Sequence, residues 1–83
     1  MKIIKITSLW CSSCLIVNEV LNDLKDIEIV NLDYDFDKTE VEKYQPGKIL
    51  PVLIFIDQNN NELTRLIGEK KKNKIIELVE KYK

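Results

Sequence analysis

Ile3-Ile4-Lys5-Ile6-Thr7-Ser8-Leu9-Trp10-Cys11-Ser12-Ser13-Cys14 is the stretch on which the reading of this chain turns. Its first five residues are rich in β-branched side chains and predict a strand, which Ser8-Leu9-Trp10 brings to an end. Beyond the cysteines, Val17, Val20, Leu21 and Leu24 recur at helical spacing with polar residues between them, so a helix is expected over residues 12–25. Cys11 then sits at the N-terminus of that helix, at a strand-to-helix junction.

Downstream, Ile27-Glu28-Ile29-Val30-Asn31-Leu32 reads as a second strand reached through the helix, which makes a βαβ unit. Asp37 with Glu40 three residues later resembles a capping box, and Val41 with Tyr44 supplies one apolar stripe of a short helix before Gln45-Pro46-Gly47 stops it. Val52-Leu53-Ile54-Phe55-Ile56 is continuously apolar, as expected of a strand covered on both faces. The polar turn 57–61 leads from it into Glu62-Leu63-Thr64-Arg65-Leu66-Ile67, and the two strands form a hairpin. After Gly68 and Glu69 comes an amphipathic segment whose expected buried stripe is Ile75, Ile76, Val79 and Tyr82, with the lysines of 70–74 in its first turns. The order is β-α-β-α-β-β-α, an α/β domain with a mixed four-stranded sheet and helices on both faces.

Length and composition narrow the function. The 83 residues suit a single domain, 1–83, since a core of this size already buries only about 60% of the unfolded chain's surface. Thirteen basic and 14 acidic residues give a net charge of −1, which disfavours a nucleic-acid binder. No apolar run approaches the roughly 18 residues of a membrane span, and lysines interrupt the opening segment too soon for a signal-peptide core. A soluble, cytoplasmic protein is expected. With two cysteines and no histidine, imidazole-dependent mechanisms are excluded and a tetrahedral zinc site lacks ligands, so no metal is expected. A disulfide between residues three apart closes so short a loop that it stabilises little, so a cycling thiol explains the pair better than a staple.

Trp10-Cys11-Ser12-Ser13-Cys14 after the first strand, Leu50-Pro51-Val52 before the third and Gly68 after the hairpin resemble the thioredoxin family, and the match runs over nearly the whole chain. The resemblance implies a minimal thioredoxin fold and a thiol-disulfide oxidoreductase that reduces protein disulfides or carries electrons. Cys11 would be the nucleophile, its thiolate favoured by the free N–H groups and dipole of the helix start, and Cys14 the resolving thiol. The redox-active disulfide Cys11–Cys14 would be the only redox group, with no cofactor. Pro51 resembles the family's cis-proline, and Trp10, Ser12, Ser13, Leu50, Pro51 and Gly68 would contact substrate. The partners implied are disulfide-containing proteins and an upstream thiol donor, a flavoprotein reductase or glutathione; a monomer is expected.

The departures from the family matter as well. Thioredoxins carry a buried aspartate six residues before the first cysteine, and here that position is Lys5. The simpler expectation is a lysine pointing to solvent at the sheet's edge; an amine facing Cys14 would instead favour its thiolate. Ser12-Ser13 replaces the family's usual central pairs, which leaves the redox potential open over a range of roughly 150 mV. The alternative reading is a glutaredoxin-like module, coupled to glutathione or binding an iron–sulfur cluster. Ile49-Leu50-Pro51 and Ile67-Gly68-Glu69 match the glutathione-binding stretches of glutaredoxins poorly.

Overall fold

Alternating burial along the first strand sets the architecture: Ile3 faces one side of a sheet, Ile4 and Ile6 the other, and all three are buried. In the computed structural model, which describes residues 1–12, 14–24 and 26–83, the elements are β1 (Lys2–Thr7), α1 (Cys14–Asn22), β2 (Glu28–Asp33), α2 (Lys38–Glu42), β3 (Val52–Ile56), β4 (Glu62–Ile67) and α3 (Lys72–Tyr82). The strands form one sheet in the order β2-β1-β3-β4. β1 and β2 are parallel, with Ile3 opposite Ile29 and Thr7 opposite Asp33. β1 and β3 are antiparallel, with Ile6 opposite Val52, and β3 and β4 form the expected hairpin, with Val52 opposite Ile67.

Every residue of β3 is buried because apolar layers cover both faces of the sheet. On one face Val17, Val20 and Leu21 of α1 and Ile75, Leu78 and Val79 of α3 pack on Ile3, Leu53, Phe55 and Leu66. On the other, Val41 of α2 packs with Ile4, Ile6, Val52, Ile54 and Ile56. Helices thus lie on both faces, as predicted.

Four expectations are corrected. Of the helix expected over 12–25, α1 occupies Cys14–Asn22; Ser12 lies in the turn before it, and Ser13 and Lys25 fall outside the described residues. The turn is made by the Cys14 N–H on Cys11 O (3.3 Å) and the Leu15 N–H on Ser12 O (3.2 Å), so the helix begins at Cys14 and not at Ser12. The capping box at Asp37 does not form, because the Asp37 carboxylate accepts the Asp33 backbone N–H (2.8 Å) instead of capping α2. The stripe of α3 is Ile75, Leu78 and Val79, while Ile76 and Tyr82 are only partly buried against the same cluster. Lys5 is not at an edge: β1 is an interior strand, and the side chain is half-buried.

Candidate active site

The strand directions bring four chain segments to one edge of the sheet. β1 and β2 end there while β3 begins, and β4 returns to it, so the loop of residues 8–12, the Tyr34-Asp35 loop, Leu50-Pro51 and Gly68 share that edge. It is the carboxyl end of the parallel pair, where open α/β sheets present their crevices.

Cys11 and Cys14 form a disulfide there, their Cα atoms 5.5 Å apart. The two sulfurs are not equally accessible: Cys11 is partly exposed, whereas Cys14 is only 2% exposed and sits in the apolar cluster of Ile4, Ile6, Leu50 and Val52. This asymmetry follows from position, since Cys11 belongs to the turn and Cys14 to the first turn of a helix lying on the sheet. The Cys11 N–H donates to Ser8 O at 3.3 Å, which folds the loop back on the end of β1.

Trp10 is 61% exposed, yet it is held on both sides. Its indole Nε1 donates to Asp35 Oδ2 at 2.9 Å, and its ring meets Tyr34 edge-on, with centroids 6.2 Å apart. Tyr34 is anchored in turn by its hydroxyl on Gly47 O at 3.0 Å. Asp33 Oδ1 accepts the N–H groups of Asp35 and Phe36, both at 2.9 Å, and so shapes the loop that presents Asp35. A cavity of about 500 Å³ lies behind this support, lined by Tyr34, Asp35, Lys38, Val41 and Gln45 among others, away from the disulfide.

The Leu50–Pro51 peptide bond is cis, and both residues are buried. The Pro51 carbonyl accepts the Gly68 N–H at 2.9 Å, joining two of the residues singled out from sequence. Gly68 has φ +84°, and a Cβ there would stand 3.2 Å from Ile49 Cγ2, so backbone conformation and space both favour glycine. Beside them Ile49 and Ile67 are exposed, as is Leu9 on the cysteine loop, which leaves apolar side chains around the disulfide.

A smaller cavity of about 270 Å³ runs beneath the loop, lined by Ser8, Cys11, Ser12, Cys14, Asn18 and Asp33 among others. Lys5 reaches its wall: the ammonium donates to Asn18 Oδ1 at 2.6 Å. Partial burial holds the pKa of Lys5 below the ordinary lysine range. Asn18 and Asp35 were not foreseen as site residues, because their partners lie 13 and 25 positions away in the chain.

Of the residues singled out, Cys11, Ser12 and Cys14 line one cavity, Leu50 packs in the Cys14 cluster, Pro51 is bonded to Gly68, and Trp10 is tied to the Tyr34-Asp35 loop. Ser13 lies outside the described residues. Among the described residues no group of histidines, cysteines or carboxylates is arranged to hold a metal, and no helix is long and apolar enough to cross a membrane.

No family model matches the chain. A thioredoxin of Chlamydia trachomatis is 29% identical over 77 residues, covering 88% of this chain and 74% of that protein. Among solved structures, thioredoxin 1 of Thermosipho africanus superposes with a TM-score of 0.82 at 21% identity, over 99% of this chain and 93% of that one. A mutant thioredoxin of Halobacterium salinarum superposes with a TM-score of 0.84 at 18% identity, over 98% of this chain and 73% of its own. The fold read from the motif and strand order is therefore the fold of these proteins.

Proposed function

We propose that this thioredoxin-like chain is a thiol-disulfide oxidoreductase that reduces protein disulfides by cycling Cys11 and Cys14 between dithiol and disulfide. The observation that carries the reading is the unequal exposure of the two sulfurs of one disulfide. In the reduced protein the accessible Cys11 thiolate attacks a substrate disulfide, one substrate sulfur leaves, and a mixed disulfide forms. Cys14, one turn deeper, then attacks Cys11, releases the second substrate sulfur and closes the ring. Burial of Cys14 in an apolar cluster keeps it from competing for substrate while leaving it at bonding distance from Cys11.

The surroundings support roles for the remaining residues. Trp10, braced by Asp35 and Tyr34, offers a fixed aromatic face beside the nucleophile. Leu50, Pro51 and Gly68, next to exposed Ile49 and Ile67, offer a backbone edge with apolar flanks to an extended peptide, and Ser12 stands in the turn itself. The upstream donor is a flavoprotein reductase or a small thiol such as glutathione, the 83 residues act as one domain, and the cytoplasm is the compartment that suits a resting dithiol.

Insulin reduction with dithiothreitol as donor tests this directly. The wild type is expected to accelerate precipitation, Cys11→Ser to abolish the effect, and Cys14→Ser to accumulate mixed disulfides on non-reducing gels. Full activity in Cys11→Ser would sink the reading.

A further inference from the structure

Lys5 is an ammonium on an interior strand, where packing alone would favour an apolar side chain. Its register partners are Asn31 on β2 and Leu53 on β3, and the neighbouring inward position Ile3 is fully buried, so an apolar side chain would complete the layer. Drawing a lysine out of water costs free energy, which is the sense in which its pKa is displaced. Its bond to Asn18 has a further consequence. An ammonium only donates hydrogen bonds, so the atom facing it must be the amide oxygen, and the orientation of Asn18 is unambiguous. The amide nitrogen and its two N–H groups are left for other partners.

Asn18 stands four residues after Cys14 on α1, on the same helix face, and lines the cavity to which both cysteines contribute. A second polar group lines that cavity. Ser8 is 8% exposed, and its hydroxyl has no hydrogen-bond partner among the described residues. A buried hydroxyl without a partner is costly in a resting state and informative about what the space accepts, namely an atom that takes hydrogen bonds. In this chain that atom is present for part of each cycle, as sulfur released from the disulfide.

We propose that Lys5, acting through Asn18, is a positioning residue for the resolving step: it fixes and polarises the Asn18 amide so that its N–H end stabilises the thiolate formed at Cys14. The proposal rests on the oxidoreductase reading above. In the step concerned, Cys14 gives up its proton and its sulfur attacks Cys11 in the mixed disulfide. The Cys11–Cys14 bond forms as the bond from Cys11 to the substrate sulfur breaks. The electron pair leaves with that sulfur, which takes up a proton, so the substrate is reduced and the dithiol oxidised. A cation behind the amide lowers the cost of the thiolate, and more so in a partly dry setting than in water. The strand neighbours of Lys5, Asn31 and Leu53, are uncharged, and the cavity's carboxylate, Asp33, opposes a thiolate there with its Oδ1 engaged by two backbone N–H groups, so the Lys5 charge is the one that favours it among the residues named.

The experiment follows the ultraviolet absorbance of the Cys14 thiolate against pH in Cys11→Ser protein, where it is the single thiol, with and without Lys5→Met. Parallel samples of the two-cysteine protein are equilibrated with glutathione buffers. Lys5→Met is expected to move the Cys14 titration to higher pH. At a pH above that titration, where the reduced form carries the thiolate and so loses support, it should also shift the dithiol–disulfide equilibrium about tenfold towards the disulfide, ~30 mV more reducing. Lys5→Arg should restore most of both, and Lys5→Met should add little in an Asn18→Ala background, since the charge acts through that amide. An unmoved titration and equilibrium in a folded Lys5→Met protein overturns the proposal, and so does an effect that persists in full without Asn18. Should Lys5→Met fail to fold, Lys5→Gln, which keeps a donor for Asn18 Oδ1 but has no charge, carries the same test: it must raise the Cys14 titration. Insulin reduction by the wild type separates the two levels. An active wild type with an unmoved titration removes only the role of Lys5, whereas an inactive wild type removes the oxidoreductase reading itself.

Discussion

β3 and β1 lie side by side in the middle of one sheet, paired from Ile6–Val52 to Lys2–Ile56, and they are built differently. β3 is five apolar residues, all buried, entered through the buried pair Leu50-Pro51. β1 repeats the pattern with Ile3, Ile4 and Ile6 but sets Lys5 opposite Leu53, and it runs out into Leu9 and Trp10, which are 87% and 61% exposed. One strand meets only the demands of packing. The other carries polar and exposed residues that packing would not choose, and it leads straight to the cysteines. The difference is the one on which the proposed role of Lys5 rests: the polar exception lies inside the sheet as well as in the loop.

The comparison breaks most visibly at Phe55, fully buried in β3 and packed between α1 and α3. Phe55→Ala removes a large side chain from a site that α1, α3 and the sheet cannot all close upon, and a loss of about 3–5 kcal/mol is expected. For a domain of this length that is a large fraction of total stability. Urea unfolding measures it, and a loss under about 1 kcal/mol would mean that the packing of α1 and α3 does not depend on β3. The fraction that remains folded should keep its dithiol–disulfide equilibrium, because Phe55 packs in the cluster on α1 and α3 and not in the one that holds Cys14.

Lys5→Leu sharpens the comparison by making β1 resemble β3. The substitution gives up a charge-assisted bond to Asn18, about 1.5–3 kcal/mol. It also ends the burial of an ammonium and places a leucine in an apolar layer, gaining roughly 1.5–3 kcal/mol if that side chain is fully buried. The two nearly cancel, so the unfolding midpoint should move little in either direction while the redox equilibrium shifts as for Lys5→Met. A large loss of stability with an unmoved equilibrium would make Lys5 a structural residue.

What was legible in the sequence divides along the same line. The strands were found to within a residue or two because alternation and continuous burial are local patterns that tertiary packing preserves. The cysteine pair, Pro51 and Gly68 could be picked out because each type has few uses in such a place. The capping box failed because Asp37 had a competing donor, the Asp33 N–H, which only the loop geometry brings near. In α3 the stripes through Leu78 and through Ile76 and Tyr82 are equally regular in the sequence, and only packing against α1 and the sheet decides between them. A lysine in a strand points to a sheet edge, and the interior place of Lys5 is not legible because its partner Asn18 belongs to another element. Trp10 and Asp35 likewise meet only after the sheet has brought the ends of β1 and β2 together.

The smallest effect is expected at the far end of β3 from the cysteines, where Asp57 leads into the hairpin turn. Its Oδ1 accepts the N–H groups of Asn59 (2.8 Å) and Asn61 (2.9 Å), and Asn60 takes a left-handed φ of +65°. The backbone N–H of Asn61, helped by that of Asn59 and by the Asn61 side chain, holds the Asp57 carboxyl below its ordinary pKa. A carboxylate whose pKa is lower folded than unfolded adds stability above the unfolded value, about 3.9, and loses it as pH falls through the folded value. Asp57→Ala should therefore lower the melting temperature at neutral pH by an amount on the order of 2 °C, and the gap to the wild type should shrink as the solution is acidified below pH ~4. The dithiol–disulfide equilibrium should not change, since this turn lies at the opposite end of the sheet from Pro51. Thermal melts at several pH values, each paired with a glutathione equilibration, read both quantities. A gap that stays constant down to acid pH would assign the turn's stability to its shape and not to the Asp57 charge. A redox shift would show that the two ends of β3 are coupled.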